Sequence, residues 1–193
     1  RIAHVKQEVL PCLGMDDPYN YRNKIQVPFN KDRNGKVKFG FYKEHTHIIM
    51  PIKECAIEDK RAAPILWDIK LLLEEMNIPC YNEDSGKGIL RYVLIRTSHH
   101  FKELMVVLVT SIMNFPSQRN FVDALIKKHP EITTVVENVN SRHTNVILGN
   151  KEKILYGPGF IEDTILGLTF EISASSFFQV NPEQVEVLTS RLE

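Results

Sequence analysis

Basic and amide side chains alternate near the start of the chain, where they could bind an anion. Arg22, Lys24 and Gln26 would lie on one face of an extended strand. All three side chains donate hydrogen bonds that phosphate oxygens or base edges accept. A strand face that is simply solvated fits the same pattern equally well, so both interpretations stay open.

A second segment places two aromatic residues and a glutamine directly before a helix. Phe177 and Phe178 precede Gln179, and Asn181-Pro182 supplies the N-cap and first-turn residues of that helix. An exposed ring at such a position could stack on a flat ligand, and the Gln179 amide could form hydrogen bonds with the edge of that ligand. The pattern alone favours packing of the rings in the core.

Histidine and cysteine residues do not form a complete metal motif. His45 and His47 would share one face of a strand, as two metal ligands could, but no third ligand has matching spacing. Cys12, Cys55 and Cys80 are an odd number at wide spacing, and each is typical of a free thiol. P-loop, GxGxxG, GxSxG and HExxH motifs are absent, so the sequence contains no self-sufficient catalytic motif.

Charge is balanced over the chain but unevenly distributed. Residues 22–53 contain eight basic and two acidic residues, a net charge of +6, whereas residues 54–84 contain three basic and eight acidic residues, a net charge of −5. One anion-facing surface and one solvated or partner-facing surface are expected, with two solvated surfaces as the open alternative. No apolar run approaches the ~20 residues that cross a bilayer, so we expect a soluble chain without membrane contact. The odd number of cysteines favours a reducing compartment, and a cytoplasmic monomer is expected.

Hydrophobic periodicity predicts strands and helices that could position these residues. A helix should begin at Pro64 and another should span 117–128, because apolar residues recur there at helical spacing. Asn34-Gly35 predicts a two-residue type I′ turn between two strands. The predicted strands are 22–30, 36–50, 89–97, 104–112, 135–139, 145–148, 153–156 and 168–173. The expected fold class is α+β, with a mainly antiparallel sheet and a few packed helices.

The joint order of several short segments resembles that of bacterial RNA uracil-5-methyltransferases of the RumA type. The last segment is the most specific of them. They are Tyr21-Arg22-Asn23-Lys24, Gly40-Phe41-Tyr42, His47, Cys55, Gly88-Ile89-Leu90-Arg91, Asn138-Val139-Asn140, Ile147-Leu148-Gly149 and Phe177-Phe178-Gln179-Val180-Asn181-Pro182.

The resemblance implies that the chain is part of a larger multidomain enzyme. Residues 1–20 would be a lead-in from a cysteine-rich segment, 21–176 a central substrate-facing domain, and 177–193 the start of a Rossmann-like methyltransferase domain. In the family the nucleophilic cysteine and the general base follow the position of Glu193. No catalytic residue is therefore expected in this chain, which should be inactive alone.

The same resemblance assigns roles to individual residues. Gln179 would contact S-adenosylmethionine, Phe177 would line the pocket of the flipped uracil, and Cys55 would be the fourth ligand of a [4Fe-4S] cluster that this chain should not assemble alone. Independently of the resemblance, the basic residues of the predicted strands, Arg22, Lys24, Lys36, Lys38 and Lys43, would form one cationic surface for RNA. The resemblance favours 23S rRNA as that RNA.

Three alternatives remain beside this interpretation. They are an autonomous RNA-binding module, a tRNA uracil-5-methyltransferase, and a redox or metal protein built on Cys55.

Overall fold

A computed structural model describes residues 10–32 and 34–191. Within them, nine strands and three helices follow one another along the chain. They are β1 (Lys24–Lys31), β2 (Val37–Tyr42), β3 (Ile49–Pro51), α1 (Ala62–Glu75), β4 (Leu90–Thr97), β5 (Leu104–Thr110), α2 (Gln118–Lys128), β6 (Thr134–Val139), β7 (Lys151–Tyr156), β8 (Phe160–Ile165), β9 (Leu168–Ser173) and α3 (Pro182–Thr189). None of these helices is long and apolar enough to cross a membrane.

Seven strands form one sheet in the order β3-β2-β1-β4-β5-β6-β7, and β8 and β9 form a separate hairpin. Every neighbouring pair in the large sheet is antiparallel except β5 and β6. That pair is parallel because α2 carries the chain back across the sheet between them, as a crossover requires. The prediction of an α+β fold with a mainly antiparallel sheet is confirmed.

Helices α1 and α2 cover one face of the sheet and enclose the larger core. The predicted helical stripe is buried, with Ile65, Ile69 and Leu73 less than 2% exposed. Helix α1 begins at Ala62 rather than Pro64. Pro64 is accommodated because the N–H groups of a first helical turn have no partner within the helix.

The opposite face is covered in part by the β8–β9 hairpin. Ile161 and Ile172 of the hairpin pack with Leu94, Met105 and Val107 of the sheet. Strands β4 and β5 are therefore buried on both faces, which explains their nearly continuous apolar sequence.

Two predicted strand features are wrong in the first half of the chain. Residues 36–50 form two strands joined by a turn, and His45 has a φ of 57° in that turn. The hairpin after β1 has a three-residue loop, because the Asp32 N–H donates to the Lys36 carbonyl, and Gly35 takes the positive φ that such loops need.

Two errors concern the second half of the chain. Residues 145–148 are not a strand, because the Asn140 amide donates to the carbonyls of Val146 and Ile147, at 2.6 and 3.0 Å, in place of a neighbouring strand. Strand β8 was not predicted, since a buried acid, Asp163, interrupts its apolar alternation.

Candidate functional site

Residues 174–181 connect β9 to α3 and carry the two residues singled out at this end of the chain. Phe177 is 86% exposed, and Gln179 is also exposed. Phe178 points the other way, half-buried against Phe170 with ring centroids 6.1 Å apart. The core-packing interpretation therefore holds for Phe178 and is wrong for Phe177, whose ring is free to stack on a flat ligand.

Two residues of the large sheet bind the backbone of this segment. The Asn23 side-chain amide donates to the Gln179 carbonyl at 3.0 Å, and the Asn23 N–H donates to the Val180 carbonyl at 3.1 Å. A guanidinium Nη of Arg96 donates to the carbonyls of Ala174, at 3.3 Å, and Ser176. The exposed residues of the segment are thus attached to the ends of β1 and β4.

Arg96 is an unusual residue for its surroundings. Its side chain is 3% exposed, and burial lowers the pKa of Arg96 to about 10, although the charge of Glu152 opposes this shift. Within the described part of the chain its Nε has no hydrogen-bond partner. Its charge is therefore solvated chiefly by backbone carbonyls.

Lys24 lies directly opposite Arg96 in the β1–β4 ladder. Burial, then the charge of Arg96 and then that of Arg22, lower the pKa of Lys24. Like charges in directly opposed positions repel each other across a strand pair. This end of the sheet is electropositive and would be stabilised by an anion.

Arg22 is half-buried one residue before Asn23. Its Nε donates to the Lys24 carbonyl at 3.1 Å, and its backbone pairs with Glu58 in an isolated bridge. Burial raises the pKa of Glu58, and the positive charge of Arg22 partly opposes this effect. The structure thus brings Arg22 and Lys24 to the segment that carries Gln179.

Lys36 and Lys38 are remote from this cluster. Lys38 is opposite Asn30, six residues along β1 from Lys24, which corresponds to about 20 Å of strand. Its Nζ also lies 3.3 Å from Asp32, whose carboxylate accepts the Lys36 N–H as well. The predicted pairs Arg22–Lys24 and Lys36–Lys38 therefore lie beside opposite ends of β1 and do not form one continuous cationic surface.

Polar side chains cap helix α3 and connect it and the β8–β9 hairpin to neighbouring turns. Asn181 caps the helix as predicted, because its side chain accepts the Gln184 N–H at 3.1 Å. Glu186 accepts the Leu166 N–H of the β8–β9 turn at 3.0 Å. Fully buried Asp163 accepts the N–H groups of His99 and His100, at 2.9 and 3.1 Å, and links the hairpin to the β4–β5 turn.

Cys55 is half-buried and lines a cleft of about 480 Å³ with Tyr19, Asn20 and Glu58. Cys12 is exposed, and burial raises the pKa of Cys80 to about 12. In the described part of the chain, no three His, Cys, Asp or Glu residues are grouped as a metal site would require.

The predicted histidine pair does not share a strand face. His45 lies in the turn between β2 and β3, whereas the His47 Nδ1 is 2.7 Å from an Asp84 carboxylate oxygen. The His47 ring also packs edge-on against Tyr42, with centroids 5.3 Å apart.

Asn23 and Arg96 were missed as site residues. Asn23 lies in the segment Tyr21-Arg22-Asn23-Lys24, to which the resemblance assigned no role for an asparagine. Arg96 interrupts the apolar run of β4, and a charge in a strand that is otherwise buried was the available signal. Their partners are 156 and 80 residues away in sequence, so no local pattern could identify them.

Sequence comparison relates nearly the whole chain to RNA methyltransferases. A protein of Oceanobacillus iheyensis named as an uncharacterized RNA methyltransferase is 40% identical over 190 residues, which are 97% of this chain and 41% of that protein. One of Clostridium acetobutylicum with the same description is 43% identical over 178 residues, 92% of this chain and 38% of that protein. The chain spans about two fifths of the length of these curated relatives. No protein-family model matches it.

Structural comparison agrees with the sequence comparison. The crystal structure of Pyrococcus abyssi tRNA (uracil-54, C5)-methyltransferase in complex with S-adenosyl-L-homocysteine superposes with a TM-score of 0.75 at 26% sequence identity. The match covers 92% of this chain and 41% of that one. The chain is thus similar to RNA methyltransferases in sequence and to a uracil-C5 methyltransferase in fold.

Proposed function

We propose that this chain forms the substrate-facing part of an S-adenosylmethionine-dependent RNA uracil-5-methyltransferase. One observation carries the proposal: the exposed Phe177 and Gln179 are attached by their backbone to a buried cationic end of the sheet. An aromatic ring, an amide and a cluster of cations are the groups that hold an unstacked base and its phosphate. The similarity to RNA methyltransferases supports the same conclusion.

Each group would have a distinct task toward RNA. The Phe177 ring would stack on the uracil after the base has left its helix, and the Gln179 amide would lie beside the base and the cofactor. Arg22 and Lys24 would bind phosphate, which relieves the repulsion between Lys24 and Arg96. S-adenosylmethionine supplies the electrophilic methyl group when bound. The exposed Gln179 side chain is compatible with a cofactor contact.

The resemblance favours 23S rRNA as substrate. A transfer RNA is the second candidate, since the similar solved structure is that of an enzyme named for uracil 54 of tRNA. The domain division at residues 20 and 176 also remains part of the proposal.

The residues around Cys55 do not by themselves fit an iron–sulfur cluster. Four cysteine ligands are usual, and neither Cys12, which is exposed, nor Cys80, which is buried in the core, lines the Cys55 cleft. A cluster at Cys55 would need further ligands, and no step of the proposed reaction depends on it.

Methylation of defined RNAs by the complete protein tests this proposal. The protein would be incubated with labelled S-adenosylmethionine and either 23S rRNA or tRNA, and 5-methyluridine would be located by mass spectrometry. We expect label at uridine C5, with a loss of roughly 5- to 150-fold in rate for Phe177→Ala, because a base stack is worth about 1–3 kcal/mol. RNA binding without methyl transfer would instead favour the autonomous RNA-binding module.

A further inference from the structure

The segment 174–181 must hold exposed side chains in place without regular secondary structure. Phe177 projects into solvent and has few neighbours to fix its ring. Because no packing neighbours restrain an exposed ring, the place that it occupies is set mainly by the position of its backbone. The anchors of this backbone are therefore as important as the ring itself for any reaction at the site.

Four carbonyls of the segment accept hydrogen bonds from only two residues. Asn23 binds the carbonyls of Gln179 and Val180, and Arg96 binds those of Ala174 and Ser176. The anchored carbonyls thus flank Phe177 on both sides. Asn23 and Arg96 are also close to each other, because the Thr97 N–H donates to the Asn23 carbonyl at 2.9 Å.

Burying the Arg96 side chain requires a favourable interaction that offsets the desolvation of its charge. The charge of Glu152 acts on Arg96, but the recorded hydrogen bonds of its guanidinium are to carbonyls and not to a carboxylate. Burying such a cation is unfavourable, and an apolar residue of similar size would pack at lower cost. The Arg96 guanidinium is directed at backbone carbonyls and faces a second cation, Lys24. Packing alone does not explain this choice, whereas fixing the segment does.

We infer that Asn23 and Arg96 are positioning residues that hold Phe177 and Gln179 in the geometry needed for base and cofactor binding. Neither residue needs to contact the reacting atoms. The inference rests on the proposed function for its biological role. The structural content of the inference is that Asn23 and Arg96 hold the segment 174–181 in place, and this statement is independent of the proposed function.

Chymotrypsin cleavage of this chain tests the structural content. Cleavage after Phe177 or Phe178 requires the segment to detach locally, and mass spectrometry distinguishes these sites from other aromatic positions. We expect Asn23→Ala to accelerate cleavage there by about fivefold, because it removes one side-chain hydrogen bond and keeps the backbone bond to Val180. Arg96→Met should accelerate it by about tenfold or more, because it removes two side-chain hydrogen bonds. Arg96→Lys should lie between Arg96→Met and the unsubstituted chain, since it keeps the charge but not the planar fork.

A matched control is Asn138→Ala. Asn138 is a buried asparagine whose amide donates to the Gly149 carbonyl at 3.2 Å and to Glu152 at 3.1 Å, and whose oxygen accepts the Gly149 N–H at 2.7 Å. Its replacement thus removes at least as many hydrogen bonds as Asn23→Ala, but none to residues 174–181. Unchanged cleavage in Asn23→Ala and Arg96→Met, or equal acceleration in Asn138→Ala, would overturn the inference. If Arg96→Met fails to fold, Arg96→Lys and Asn23→Ala carry the comparison, with urea unfolding as the measure of global stability.

Kinetics of the complete methyltransferase test the functional role. Displacement of Phe177 and Gln179 should lower kcat about tenfold in Asn23→Ala while KM for RNA changes less than twofold, because the phosphate-binding groups remain. A change in KM alone would overturn a positioning role. Absence of methylation by the unsubstituted protein would refute the proposed function, and the cleavage experiment would still decide whether the two residues hold the segment.

Discussion

Replacing Lys24 by methionine should weaken RNA binding by this chain and make it less dependent on salt. Lys24 is half-buried beside Arg96 and Arg22, and a phosphate is the ligand that would relieve the repulsion among them. Loss of one contact to a single strand should make the slope of log affinity against log salt shallower by about 0.7. A rise from about 50 to about 200 mM salt would then weaken binding by roughly 2.6-fold less than in the unsubstituted chain.

Lys38 is the informative comparison. Because Asp32 lies 3.3 Å from its Nζ, part of its charge is already neutralised, and Lys38→Met should change the slope by less than Lys24→Met. Arg22→Met should change it by at least as much as Lys24→Met, since a guanidinium binds phosphate with two parallel hydrogen bonds. Lys127→Met, on a helix against the opposite face of the sheet, is the control.

Fluorescence anisotropy with a labelled uridine-rich single strand, measured at several salt concentrations, gives these slopes. Urea unfolding should show that Lys24→Met is no less stable than the unsubstituted chain, because the opposed charges have been separated. An unchanged slope in Lys24→Met, or an equal change in Lys127→Met, would refute the idea that this end of the sheet binds phosphate.

Three further predictions concern stability and cofactor binding. Asp163→Asn should destabilise the chain by about 2–4 kcal/mol in urea, because a neutral amide cannot accept all the bonds that the buried carboxylate accepts. Burial raises the pKa of Asp163, but the hydrogen bonds from His99, His100 and Thr164 outweigh it and lower this pKa overall. The carboxylate therefore stabilises the fold above the unfolded-state pKa of about 3.9, and this stabilisation disappears as pH falls through the folded-state pKa. Asp163→Asn should remove this loss of stability in acid, and an unchanged dependence of stability on acid pH would contradict the assignment. Arg91→Met should cost about 3–5 kcal/mol, since it leaves the buried Glu83 carboxylate, 2.7 Å away, without its partner, whereas Glu83→Gln/Arg91→Met together should cost less in the same urea assay. Calorimetric titration of this chain with S-adenosylmethionine should show no binding in the low micromolar range, about −8 kcal/mol, because Gln179 is the one cofactor contact that the resemblance assigns to it.

Elements with a strong hydrophobic period could be predicted from the sequence. The stripe of Ile65, Ile69 and Leu73 identified α1, and the mainly apolar runs identified β4 and β5. The helix at Pro182 followed from its N-cap asparagine. In each case the determinants are neighbours in sequence, so a local pattern contains the information.

Other features depend on partners that are distant in sequence. The amide of Asn140 takes the carbonyls of residues 146 and 147, which converts a strand-like sequence into an irregular segment. The exposure of Phe177 and the burial of Phe178 depend on how Asn23 and Arg96 hold the backbone. Of the candidate site, the residue types at 177 and 179 could be identified from sequence, but their attachment to the sheet could not.

The β8–β9 hairpin has a consequence for the order in which the molecule opens. A two-stranded hairpin is marginally stable by itself, and this one forms no ladder with the seven-stranded sheet. Its order depends on packing of Ile161 and Ile172 and on the bonds of Asp163 and Glu186. The hairpin, the segment 174–181 and α3 should therefore detach together at a free energy below that of global unfolding, with amides of β8 and β9 exchanging with solvent before those of β4 and β5. The surface proposed to receive the uracil would thus belong to a unit that opens more readily than the large sheet, so that movement to admit an unstacked base would cost less there than in the sheet.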